Sequence, residues 1–230
     1  MLSSLKVGRV IPNAPFGLSS PFIAAILSLA LSVAAHALEV RLTDAKAQPI
    51  SDAVVSLVPL GAPAKITPPA EPIVVTQSGE EFSPYVTPVV AGTRVVFRND
   101  DKVKHHVYSA TQPTKFDLPL SGGETKNSVL FDRPGVIPIG CNIHEWMSAY
   151  VVVLNTPYFA SSSAAGLAAL PAVPAGRYRL EIWHPRLAKT DTRELTLTAT
   201  GDAPLVVTLT LKPDRRIRRA PAGMSGGSYK

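Results

Sequence analysis

Residues 135–154 read GVIPIGCNIHEWMSAYVVVL: an apolar run at 136–139, the string Cys141-Asn142-Ile143-His144-Glu145-Trp146-Met147, and a β-branched run at 150–154. Two short strands joined by a loop is the natural reading. β-branched residues fit a pleated sheet, and Gly135 and Gly140 punctuate the approach to the loop. Similar runs recur upstream at 73–76, 93–98, 106–109 and 129–131, with Gly, Pro, Asn or Asp between them. That spacing predicts an antiparallel β-sandwich over residues 73–155.

Working outward, 38–43 (LEVRLT) alternates and 53–58 (AVVSLV) is a second short run, with turn residues between. The segment 59–72, PLGAPAKITPPAEP, has five prolines in fourteen residues and cannot donate a full sheet ladder, so it reads as a linker. After Thr156 the small-residue stretch SSSAAGLAALPAVPAG suggests a loop or weak helix. Alternating runs follow at 177–183, 193–198 and 205–211. These need partners to close a core, and the strands at 38–58 are available. Residues 73–155 are then expected as an insert in a second, split sandwich made of 38–72 and 156–212.

The chain has 230 residues, 46% hydrophobic and 17% charged, which is ample for a core and unlike a disordered protein. Its formal charge of +6 is misleading until it is located. Residues 1–37 carry +2, the tail from Lys212 carries +5, and residues 38–210 carry −1. A near-neutral body gives no footprint for nucleic acid. Lys6 and Arg9 precede an apolar run at 22–35 and a small-x-small site, Ala35-His36-Ala37, so 1–37 is expected as a secretory signal and the remainder as periplasmic or otherwise secreted. An uncleaved anchor is the alternative. Residues 213–230, PDRRIRRAPAGMSGGSYK, are expected as a disordered basic tail able to touch an anionic membrane surface or an acidic partner.

One cysteine excludes an internal disulfide and any multi-cysteine cluster within one chain. Thiolate, imidazole and thioether on one loop, at C-x-x-H-x-x-M spacing, are soft or borderline ligands that favour copper over magnesium, calcium or manganese. With 5 His and 3 Met in the chain, that spacing from the only Cys arises by chance roughly three times in ten thousand. A trigonal set needs a second imidazole, which His105 or His106 can supply. The structural alternative is that Cys141 is a small buried hydrophobe and Met147 a core filler. No nucleophile elbow, phosphate-binding glycine loop or zincin helix occurs, so no enzyme activity is expected.

Pro88, Gly92, Val95, Phe97, Asn99, Asp100, His105 and Val107, followed by Cys141, His144 and Met147, give the chain a resemblance to the cupredoxins, the blue-copper family of plastocyanin and amicyanin. It resembles most the cupredoxin-like proteins of methylamine utilization, whose W-H-P ending is matched by Trp183-His184-Pro185. The resemblance implies an all-β chain with a cupredoxin-like antiparallel sandwich. The segment PAGRYRLEIWHP resembles the closing strands of small prealbumin-like, carboxypeptidase-regulatory-type sandwiches, which implies a second such unit.

For the site, the resemblance implies one mononuclear copper with Cys141 as thiolate ligand, His144 as imidazole and Met147 as the weak axial thioether. Counting six residues from Asn99 selects His105 as the upstream ligand, with His106 kept as a candidate. The family's proline inside the Cys–His loop is replaced by Ile143. Glu145 reads as a solvated carboxylate, with an axial-oxygen role as its alternative, and His184 as a packing residue. A type 1 copper electron carrier is the expected function, with a c-type cytochrome or an amine dehydrogenase as redox partner by resemblance. The competing expectations are a metal-delivery protein without redox cycling and an envelope interaction module.

Overall fold

A computed structural model describes residues 35–123, 125–198, 203–214 and 216. The expected secretory segment therefore lies almost entirely outside the described residues, as does most of the basic tail. Among the described residues the regular structure is all strand. The first stretch holds β1 (Ala35–His36), β2 (Glu39–Thr43) and β3 (Val54–Pro59). The middle stretch holds β4 (Ile73–Ser78), β5 (Glu81–Ser83), β6 (Val86–Val90), β7 (Thr93–Asn99), β8 (His105–Ser109), β9 (Phe116–Leu120), β10 (Thr125–Phe131), β11 (Gly135–Cys141) and β12 (Ser148–Leu154). The last holds β13 (Phe159–Ser161), β14 (Leu167–Ala169), β15 (Val173–Pro174), β16 (Gly176–Trp183), β17 (Asp191–Leu197) and β18 (Leu205–Thr208).

The middle strands form two sheets, in the orders β10-β7-β4-β5 and β6-β12-β11-β8-β9. Their inward faces meet in one core that includes Val75, Phe97, Val107, Phe131, Ile137 and Val151. Alternation in β7, buried at Thr93, Val95, Phe97 and Asn99 and more open between, follows from the two-residue side-chain period of a strand. The flanking strands form the sheets β13-β3-β16-β17 and β14-β2-β18 around a separate core of Leu42, Leu57, Leu180 and Ile182, among others. Most pairs are antiparallel. Three are parallel: β4 with β7, β6 with β12, and β18 with β2. Each joins strands separated by other strands, as a parallel pair requires a crossover.

The stretch 161–176, expected as loop or weak helix, instead holds β14 and β15. Ala168 and Leu170 alternate into the core of the flanking strands, and that burial decides the backbone over the helix propensity of alanine. A third apolar cluster of Val54, Val86 and Val152, with Tyr85, Tyr150 and Trp183 packed against it, joins the two sandwiches. Tyr150 meets both Tyr85 and Trp183 edge to face, at centroid distances of 5.7 and 5.3 Å. Full burial of a valine side chain contributes about 1.5–3 kcal/mol relative to exposure, so three of them at one seam hold the units together.

Candidate metal centre

β11 ends on Cys141 and β12 starts directly after Met147, so the string 141–147 is a tight loop between neighbouring antiparallel strands. Within it the Met147 N–H donates to the His144 carbonyl at 3.0 Å, and the Cys141 N–H to the Met147 carbonyl at 3.3 Å. Gly140 lets the Tyr108 ring lie against the strand just before the cysteine. A Cβ there would stand 3.1 Å from the ring edge.

β8 lies on the other side of β11, with Cys141 opposite Val107. His105, at the end of β8, therefore arrives beside the loop. Strand parity separates the two candidate histidines. His105 faces inward with Val107 and is 1% exposed, while His106 points the other way and pairs with the Asp117 carboxylate on β9.

Three side chains converge. His105 Nδ1 lies 3.1 Å from His144 Nδ1, and the Cys141 Sγ lies 3.9 and 3.8 Å from these two nitrogens. Among the described residues this is the cluster of His, Cys, Asp or Glu with the spacing of a metal site. Met147, 2% exposed, sits in the same buried cluster as Cys141. Glu145 is exposed and outside the trio. His184 is buried elsewhere, where its Nδ1 accepts the Arg186 N–H at 3.0 Å.

Asp101, which the sequence reading passed over, completes the arrangement. Its carboxylate accepts the N–H groups of Gly79 at 2.7 Å and Glu80 at 2.9 Å, in the β4–β5 turn, and contacts His105 Nε2 at 2.8 Å. An ionised carboxylate only accepts, so Nε2 carries the proton and neutral His105 turns the lone pair of Nδ1 inward. Asn99 holds the connecting loop: its amide donates to the carbonyls of Val103 and Ser121, and its oxygen accepts the Asp101 N–H. The signal available in the sequence was slight, an acid four residues before a candidate ligand.

Burial opposes charge on the Cys141 thiol, but His105 in its protonated form and the backbone N–H groups of Ile143, His144 and His106 outweigh it and bring the thiol down from 9.0 to about 6. Burial likewise opposes protonation of His105, and the neighbouring thiolate and Asp101 more than offset it, raising that imidazole. Asp101 itself is lowered: burial acts upward, and the N–H groups of Glu80 and Gly79 and the His105 ring act downward more strongly.

These residues fit a metal ion. The point equidistant from the three donor atoms lies about 2.1 Å from each, which is close to metal–imidazole bonds of about 2.0–2.1 Å and metal–thiolate bonds of about 2.3 Å. With the Nδ1 lone pair of neutral His105 turned inward, a thiolate at such a distance is repelled unless a cation or a proton stands among the three atoms. Two imidazoles and a thiolate are soft to borderline donors, which suit copper or zinc better than magnesium or calcium.

No family model matches the chain, and no curated protein matches it. Solved structures do. The Cu-containing nitrite reductase (NirK) from Thermus scotoductus SA-01 is 27% identical, covering 42% of this chain and 25% of that one, with a TM-score of 0.36. The chain thus spans about a quarter of that reductase. A novel purple cupredoxin from Nitrosopumilus maritimus is 23% identical over 36% of this chain and 99% of its own, with a TM-score of 0.32. A methionine-to-alanine mutant of amicyanin in the Cu(I) state is 20% identical over 44% of this chain and 98% of its own, with a TM-score of 0.34.

Proposed function

We propose that this chain is a one-electron carrier, periplasmic or otherwise secreted, in which His105, Cys141 and His144, with the Met147 thioether as a further donor, would hold one mononuclear copper. The observation that carries this reading is the triangle of donor atoms, whose edges suit an ion at ordinary bond lengths. Copper in such a site supplies a Cu(I)/Cu(II) couple with little change of geometry between states.

The chain's own residues do the rest. Asp101 holds the His105 ring in one tautomer and one orientation. The backbone N–H groups around Cys141 keep its sulfur anionic near neutral pH and draw electron density from it. β8, β11 and β12 belong to one sheet over a packed core, so the ligands are fixed before any ion arrives. His105 and Cys141 are buried and His144 is half-buried, which makes the His144 edge the exit for an electron. On this reading the chain carries electrons rather than catalysing a reaction, and a c-type cytochrome or an amine-oxidising dehydrogenase would serve as its redox partner.

Adding Cu(II) to the mature protein should produce an intense thiolate-to-copper charge-transfer colour, absent from Cys141→Ala. Full metal occupancy without that colour overturns the reading. Ready loss of Cu(I) to a chelator, with no reversible voltammetric wave, points to metal delivery instead.

A further inference from the structure

The chain does not leave the body after β18. Lys212 donates its N–H to the Arg186 carbonyl at 2.9 Å, and Arg186 Nε returns a bond to the Lys212 carbonyl at 2.6 Å. Four residues later the Arg216 side chain, 16% exposed, lies over the ring of Tyr85 in the other sandwich, its guanidinium carbon 3.8 Å from the ring centroid. Asp214 turns the backbone there, accepting the Arg216 N–H at 3.0 Å and approaching Nη2 at 3.4 Å. Arg216 Nε is buried without a hydrogen-bond partner among the described residues.

Arg216 forms one wall of a cleft with about 300 Å³ of open space, lined also by Asp52, Glu81, Tyr85, Trp146 and Met147. Without Arg216 that lining offers an aromatic face, an indole edge and two carboxylates, and no cation. A ring face and carboxylates attract a cation, and a flat delocalised one stacks where a compact, strongly hydrated ammonium does not.

We propose that the Tyr85 cleft is a guanidinium-recognition site that Arg216 fills as an internal ligand, and that an arginine side chain of a second polypeptide takes it when Arg216 withdraws. The site needs no metal and stands whether or not copper binds nearby. Arg216 is then a plug, tethered through Lys212 and Arg186 so that it competes at high local concentration.

The test uses the full mature chain and ethylguanidinium as probe, read by calorimetry and by the ring resonances of Tyr85. Arg216→Ala should bind ethylguanidinium at least tenfold more tightly than the wild type, with shifts at Tyr85. Adding Tyr85→Leu should remove that binding, and ethylammonium should bind several-fold more weakly. Near-ultraviolet dichroism checks that each variant is folded, and Arg216→Gln replaces the alanine variant if that one is not. Equal binding by wild type and variant, or no binding by a folded variant, overturns the proposal. Equal affinity for ethylammonium overturns the assignment to guanidinium.

Discussion

Replacing Asp101 with alanine removes the acceptor of three hydrogen bonds at once. The Gly79 and Glu80 N–H groups lie in a hairpin turn that water can reach, so each loses only the ordinary net value of a hydrogen bond, about 0.5–1.5 kcal/mol, in part recovered by solvent. His105 differs, because at 1% exposure its Nε2–H has no water to turn to. An orphaned buried donor costs about 1–3 kcal/mol. Together these give about 2–4 kcal/mol of lost stability in the metal-free protein, measurable as a lower urea midpoint with an unchanged slope. Metal affinity should fall by about 10–100-fold, because the ring is then free to rotate or to take the other tautomer. Chelator competition for Cu(I) reads that loss, and Asp101→Glu should recover part of it. Unchanged affinity together with an unchanged midpoint would refute the reasoning, since the carboxylate would then be a bystander.

In the metal-free protein the ultraviolet absorbance of the Cys141 thiolate should titrate near pH 6; a midpoint at the ordinary thiol value of about 8.5 would mean that the His105 and backbone contacts do not form in solution. His184 is held down at about 4, by burial first and by Arg186 next. Its folded value lies below the ordinary value of about 6.5, so this contribution to stability is complete above pH 6.5 and is lost as the pH falls toward 4, where the unfolded chain already binds a proton. Urea midpoints across that window should decline for the wild type and more gently for His184→Asn, and parallel declines would show that another group titrates.

The long β-branched and alternating runs were readable because one face of each is buried. β7, β12 and β16 fall where the pattern puts them, within a residue or two. The strands that escaped notice carry a breaker or lack length. β6 contains Pro88 and β9 contains Pro119, and both lie at the edges of their sheet, where a missing N–H need not break a ladder. β14 looked like a loop because its small residues have no strand preference of their own, and only the core beneath them fixes their conformation. The spacing of Cys141 and His144 on one loop stood out in the sequence, and the two side chains lie together in the structure. Whether His105 or His106 faces Cys141 depends on where strand β8 begins, a matter of one residue that a sequence pattern does not resolve. Asp101 was invisible for a different reason: its partners Gly79 and Glu80 lie on a turn about twenty residues away, and nothing in the local sequence announces that the turn comes back to meet it.

β3 and β13 are neighbours in one sheet, with Ser56 opposite Phe159, and the Thr156 hydroxyl donates to the Leu57 carbonyl across 99 positions of sequence. The polypeptide thus departs from the flanking sandwich and re-enters it at adjoining points. In an unfolded chain, closing that junction means gathering a floppy coil of about a hundred residues, with the entropic toll that such a length carries. Once β4 to β12 have condensed, β4 and β12 are fixed in one folded body, and the slack left to take up is the proline-rich stretch and a few residues after Leu154. Condensation of β4 to β12 therefore lowers the entropic cost of bringing β3 and β13 together.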